Sequence, residues 1–132
     1  MVLIDTSILI GYFRGIKGEP YDKMDFLISQ DVPMGICNLV YQEVLQGAKD
    51  EKEFDTLKEY LNMMEMYGLR YGKQSYENAA RLYFKCRKSG ITPRSTIDFI
   101  IAQIALENNL LLFHNDKDFV QIAKINPDLK LL

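Results

Sequence analysis

Very short apolar runs that end against an acid constrain this chain more than any other feature. Val2-Leu3-Ile4 leads directly into Asp5, and Leu110-Leu111-Leu112-Phe113 leads into the loop His114-Asn115-Asp116-Lys117-Asp118. Runs this short and this uniformly apolar do not make the one-sided stripe of a surface helix, so each is expected to be a strand, the second of them buried on both faces. Strands of that kind belong to parallel sheets covered by helices on both sides and joined by right-handed crossovers. The chain is therefore expected to form an α/β sandwich of three layers, with a parallel sheet in the middle.

The segments between the strands fit this expectation. Thr6-Ser7 are good N-cap residues for a helix carrying Ile8-Leu9-Ile10 and Tyr12-Phe13. Gly15, Gly18 and Pro20 punctuate, and Tyr21 to Ser29 places Tyr21, Met24, Leu27 and Ile28 at helical spacing. Val32 to Cys37 is strand-like, with Asn38 positioned to cap a helix whose apolar face is Leu39, Val40, Val44, Leu45 and Ala48, and Glu43 lies beside that face. Asp50 to Met64 predicts a helix through Phe54, Leu57, Leu61 and Met64, followed by a strand over Met66 to Tyr71 that breaks at Gly72. Lys73 to Lys88 predicts a helix with Tyr76, Ala79, Ala80 and Tyr83 inward and Glu77, Arg81, Lys85 and Lys88 outward. Ser95-Thr96-Ile97-Asp98 has the form of a capping box, opening a helix through Ile101, Ile104, Ala105 and Leu106 that stops at Asn108-Asn109. Asp116 or Asp118 caps a last short helix, Phe119 to Lys124, and Pro127 precedes a final strand, Lys130-Leu131-Leu132.

Composition narrows the class. With 132 residues, 48% hydrophobic and 26% charged, one domain spanning 1–132 with an ordinary core is expected, and disordered or fibrous classes are disfavoured. The apolar stretch Phe99 to Leu106 is far shorter than the ~20 residues of a membrane-spanning helix. Val2-Leu3-Ile4-Asp5 has neither the basic start nor the small-residue cleavage site of a secretory signal, so a cytoplasmic protein without membrane contact is expected. Cys37 and Cys86 lack metal or redox spacing, and His114 is the only histidine, which argues against multi-histidine zinc sites and a Ser/His/Asp triad.

Parallel sheets bind ligands at the carboxyl ends of their strands. Asp5 and the 114–118 loop follow strands directly, Asp98 opens a helix that returns to the second of them, and Glu43 is near the start of a helix after the middle strand. Asp5, Glu43, Asp98 and Asp116 are thus expected at one cleft, with Asp118 as a fifth candidate. Clustered carboxylates raise one another's pKa unless a cation sits between them, and all-oxygen donors suit Mg2+ or Mn2+. Two such ions acting on a phosphate ester would activate a water and stabilise the leaving oxygen, so the chemistry implied is phosphodiester hydrolysis. Each acid also has a purely structural explanation: Asp5 as a strand end, Asp98 as part of a capping box, Asp116 or Asp118 as an N-cap, Glu43 as a solvated helix edge. Their joint occurrence at the ends of elements favours the functional one.

At these residues the sequence resembles the PIN-domain family, and most closely the VapC toxins of toxin-antitoxin modules. The resemblance rests on Val2-Leu3-Ile4-Asp5-Thr6-Ser7-Ile8-Leu9-Ile10, on Ile36 to Gly47 with Glu43 as its acid, on Thr96-Ile97-Asp98-Phe99-Ile100-Ile101-Ala102, and on Leu112-Phe113-His114-Asn115-Asp116-Lys117-Asp118-Phe119, in that order. It implies a sheet of about five strands and metal-dependent cutting of RNA. Asp5 and Asp98 would ligate Mg2+ or Mn2+ directly, with Glu43 and Asp116 completing the cluster directly or through water and Asp118 at the alternative position of the fourth acid. Thr6 would orient Asp5 or bind a phosphate. The resemblance further implies a homodimer and a cognate antitoxin whose tail occupies the groove and blocks the metal site.

The charge balance suits such a substrate only locally. The net charge is -2, yet Arg70 to Arg94 holds Arg70, Lys73, Arg81, Lys85, Arg87, Lys88 and Arg94 against Glu77 alone. Arg81, Lys85 and Lys88 are accordingly candidates for holding an RNA backbone, although such a stripe is also what any solvated helix face presents. Other classes remain open: a PIN nuclease of RNA processing, or a noncatalytic PIN-like scaffold. A phosphoacceptor receiver domain would need paired acids after the first strand, which Asp5-Thr6 does not supply.

Overall fold

The computed structural model describes all 132 residues. In chain order the elements are β1 (Val2–Ile4), α1 (Thr6–Phe13), α2 (Glu19–Ser29), β2 (Met34–Ile36), α3 (Asn38–Gln46), α4 (Glu51–Leu61), β3 (Glu65–Met66), α5 (Lys73–Lys88), α6 (Thr96–Glu107), β4 (Leu111–Phe113), α7 (Lys117–Ile125) and β5 (Lys130–Leu131). The strands form one parallel sheet in the order β3-β2-β1-β4-β5. β1 sits in the centre, with Val2, Leu3 and Ile4 opposite Leu111, Leu112 and Phe113 of β4. The chain leaves β1 toward β2 and β3 on one side and returns to its other side with β4 and β5. The gap between the ends of β1 and β4 is therefore the point where the winding direction reverses, the place where open sheets bind ligands.

Burial explains why the strands are so short and so apolar. Val2, Leu3 and Ile4 are each at most 2% exposed, and a contiguous core of 27 buried residues joins the sheet to helices on both faces. The two-faced burial expected of the second run holds for Leu112 and Phe113 but not for Leu111, which begins β4 and is 37% exposed. No helix is long and apolar enough to cross a membrane.

Several local expectations are corrected. The strand expected over Met66 to Tyr71 is instead Glu65–Met66, because only that much aligns with Gly35 and Ile36; Tyr67 N–H adds one bond to the Ile36 carbonyl at 2.8 Å. Gly35 is required there, since a Cβ would press into the Glu65 carbonyl and the Tyr67 ring. Cys37, not Asn38, is the N-cap of α3, and Asn38 is its exposed first residue. The face of α5 is also rotated from its expected phase. Ser75, Ala79, Leu82 and Cys86 are buried, whereas Tyr76 and Ala80 are exposed and Tyr83 is half-buried against Phe99. The small side chains let α5 pack closely on α6 and α7, and the amphipathic tyrosines tolerate the outer position.

Candidate active site

The site begins with Asp5, which follows β1 and is only 5% exposed. Asp5, rather than Thr6 or Ser7, is the N-cap of α1: its Oδ2 accepts from Ser7 N–H at 3.1 Å and from Ser7 Oγ at 2.6 Å. Ser7 Oγ in turn accepts from Asn115 N–H at 2.9 Å, so one hydroxyl ties the end of β1 to the loop after β4. Thr6 makes no side-chain hydrogen bond to Asp5. Its hydroxyl donates to Glu43 Oε1 at 2.9 Å and aims that carboxylate from α3.

After β4, Asp116 caps α7 by accepting from Asp118 N–H at 2.9 Å. His114 Nδ1 accepts from Asp116 N–H at 3.1 Å, and its ring meets Phe119 edge-on. Burial lowers the pKa of His114, and its Nδ1 serves as the acceptor that shapes this turn. With Asp116 as the cap, Asp118 is free for another partner.

Asp98 completes the arrangement from α6. Ser95 is the N-cap, and its Oγ accepts from Ile97 N–H at 3.2 Å. The reciprocal half of the expected capping box is missing, because the Asp98 carboxyl does not reach back to Ser95 N–H. It points instead toward the other acids. Its pKa is pushed up to about 7, first by burial and then by the charges of Asp116, Asp5, Asp118 and Glu43. Oxygens of Asp98, Asp116 and Asp118 lie within 4.8 Å of one another. Such a hard, all-oxygen donor set fits a divalent cation such as Mg2+ or Mn2+. Asp5 and Glu43 stand outside that tight group of three but close enough for Asp98 to feel their charge.

The basic stripe lies elsewhere. Arg81 and Lys85 line a groove of about 720 Å³ with Asn109 and Asn126, which precede β4 and β5, and Lys130, which begins β5, so the groove belongs to the opposite edge of the sheet. Lys88 lies 5.5 Å over the Phe84 ring. The cation that does reach the acids is Arg94, whose Nε and Nη2 donate to the two oxygens of Asp118 at 3.1 Å each. Sequence analysis missed Arg94, Ser7 and Asn115 as site residues. The only written signals were the hydroxyl two positions after Asp5 and a basic residue just before Ser95.

Known proteins resemble this chain in both sequence and fold. The PIN domain family matches residues 2–125. The chain is 31% identical to ribonuclease VapC11 of Mycobacterium tuberculosis and to VapC ribonuclease Mb1587 of Mycobacterium bovis, over 95% of this chain and 93% of each relative. Among solved structures, VapBC2 of Rickettsia felis bound to a promoter DNA fragment superposes with a TM-score of 0.73 at 18% identity, covering 100% of this chain and 98% of that one. VapBC-1 of nontypeable Haemophilus influenzae gives 0.72 at 22% identity over 100% and 97%. With acids from separate segments gathered where β1 and β4 end, and with matches over nearly its whole length, the chain belongs to the PIN-domain family, among the VapC ribonucleases.

Proposed function

We propose that this protein is an endoribonuclease that hydrolyses RNA phosphodiester bonds with Mg2+ or Mn2+, and that it is the toxin of a toxin-antitoxin pair. The observation that carries this reading is the Asp98 carboxyl: half-buried among other acids, without a capping role, and pushed up to a pKa of about 7 by that burial and by their charges. Asp98, Asp116 and Asp118 would hold the ion, with Asp5 and Glu43 beside it. Bound there, a divalent cation supplies the charge that activates an attacking water and stabilises the leaving oxygen. The chain's own groups do the positioning. Ser7 holds Asp5 and Asn115 in one register, Thr6 aims Glu43, and the His114 turn sets Asp116.

Two surfaces support the partners of this reading. A groove of about 550 Å³ between α1, α3 and α4, lined by Ile10, Phe13, Val44 and Leu57 with Arg14 and Lys49 at its rim, suits an antitoxin segment. Tyr76 and Phe84, 57% and 50% exposed on α5, suit a second copy of the chain. The test is cleavage of a panel of tRNAs and rRNA fragments by purified protein in Mg2+, Mn2+ or EDTA, with Asp98→Asn as the control for contaminating nuclease. Discrete metal-dependent cuts absent from the variant are expected. Folded protein that cuts nothing in either metal would favour a noncatalytic scaffold.

A further inference from the structure

Arg94 is the one basic residue ion-paired with the carboxylate cluster. Its guanidinium makes a planar fork on Asp118, with both N–H···O distances 3.1 Å, and its Nη2 lies 3.7 Å from Asp116 Oδ1. It therefore holds both oxygens of a residue whose carboxylate also belongs to the group of three able to bind a cation. The pocket left between the Thr92-Pro93-Arg94 loop, Asp98 and Asp118 measures only about 10 Å³, enough for one water-sized occupant. The side chain is nevertheless 71% exposed and stands between α5 and α6, in neither helix, so no packing fixes it to Asp118.

A metal ion and a guanidinium compete for the same two oxygens and repel each other. The planar fork that fits a carboxylate fits a phosphate equally well. The geometry points to an exchange: Arg94 is the internal counter-ion of the metal-free site, gives up Asp118 when a divalent cation binds, and then engages the non-bridging oxygens of the RNA phosphate beside that cation. The inference rests on the ribonuclease reading and adds to it a residue that touches substrate.

The experiment compares wild-type protein with Arg94→Ala and Arg94→Lys, each checked by circular dichroism. Mn2+ affinity is measured first, by calorimetry without RNA, and cleavage is then measured at saturating Mn2+. Arg94→Ala is expected to bind Mn2+ several-fold more tightly, because its competitor is gone, yet to cut RNA with kcat/KM reduced on the order of 10²-fold. Arg94→Lys keeps the charge without the fork and should recover both properties only in part. Weaker or unchanged Mn2+ binding by Arg94→Ala would overturn the exchange and make Arg94 a clamp that holds Asp118 for the metal. Tighter binding with wild-type cleavage would overturn the phosphate contact. Failure of the wild type to cut any RNA overturns the ribonuclease reading and not the exchange, which the Mn2+ measurement reads without RNA.

Discussion

The two ends of α6 carry two acids with opposite fates. Glu107, at the last turn, accepts from Arg70 N–H at 2.7 Å, Ser75 Oγ at 3.0 Å and Gln103 Nε2 at 2.9 Å. Burial alone would raise its pKa, but these bonds outweigh it and the value is lowered. Asp98, at the first turn of the same helix, lacks such donors, and burial and neighbouring carboxylates push it up to about 7. An acid whose charge is answered by donors of the protein serves the fold. One left unanswered among like charges awaits something from outside.

The largest expected effect breaks the comparison at its reactive end. Asp98→Asn should reduce metal-dependent RNA cleavage on the order of 10³-fold, measured as kcat at saturating metal. The same variant sharpens the comparison in metal-free protein. The folded pKa of Asp98 lies above its ordinary value of 3.8, so its contribution to stability is present below about pH 4 and is lost as pH rises toward 7. Asp98→Asn should then melt roughly 5 °C above wild type at pH 8 and level with it near pH 4. Equal melting at both values would mean that Asp98 is not under the charge pressure described.

Ser7→Ala comes next, since its hydroxyl is the link between Asp5 and Asn115. Cleavage should fall ~10–100-fold while the protein stays folded, as a kcat assay beside a melting curve would show. At the other end of the helix, Glu107→Ala should leave the activity of folded protein unchanged and cost about 1–2 kcal/mol in urea denaturation at pH 7. Because the folded pKa of Glu107 is lowered, that cost should shrink as pH falls below its ordinary value of 4.5. The smallest effect is expected of the double variant Arg81→Glu, Lys85→Glu, which should raise KM for RNA less than ~10-fold with kcat intact, since its groove lies on the opposite edge of the sheet. A collapse of kcat in that variant would bring the basic groove into the chemistry.

Much of the fold is legible because its signals are local. The apolar runs at Val2 and Leu110, the left-handed Asn109 that ends α6, and the break at Gly90 each express a short-range preference. Where the expectation slipped, the deciding partner was distant. The phase of α5 turned on Glu107, which reaches Ser75 from 32 residues away, and on close packing that favoured Ala79 and Cys86 over the larger tyrosines. β3 is a strand only because β2 lies beside it. At the site, the acids stood out because each follows a strand or opens a helix. What each acid binds did not, because Thr6 finds Glu43 37 residues on and Arg94 finds Asp118 24 residues on.

The sequence by itself determined the layers, the order of the elements and the edge of the sheet where acids collect. Those follow from periodicity, capping chemistry and the handedness of crossovers, all properties of neighbouring residues. Only the tertiary structure decided which acid is spent and which is spare: Asp5 and Asp116 double as caps, Asp118 is held by Arg94, Glu107 is held by three donors, and Asp98 is left unpaired and near pKa 7. The physical reason is that a carboxylate's role depends on the donors, charges and solvent around it, and those arrive from parts of the chain that meet only when it folds.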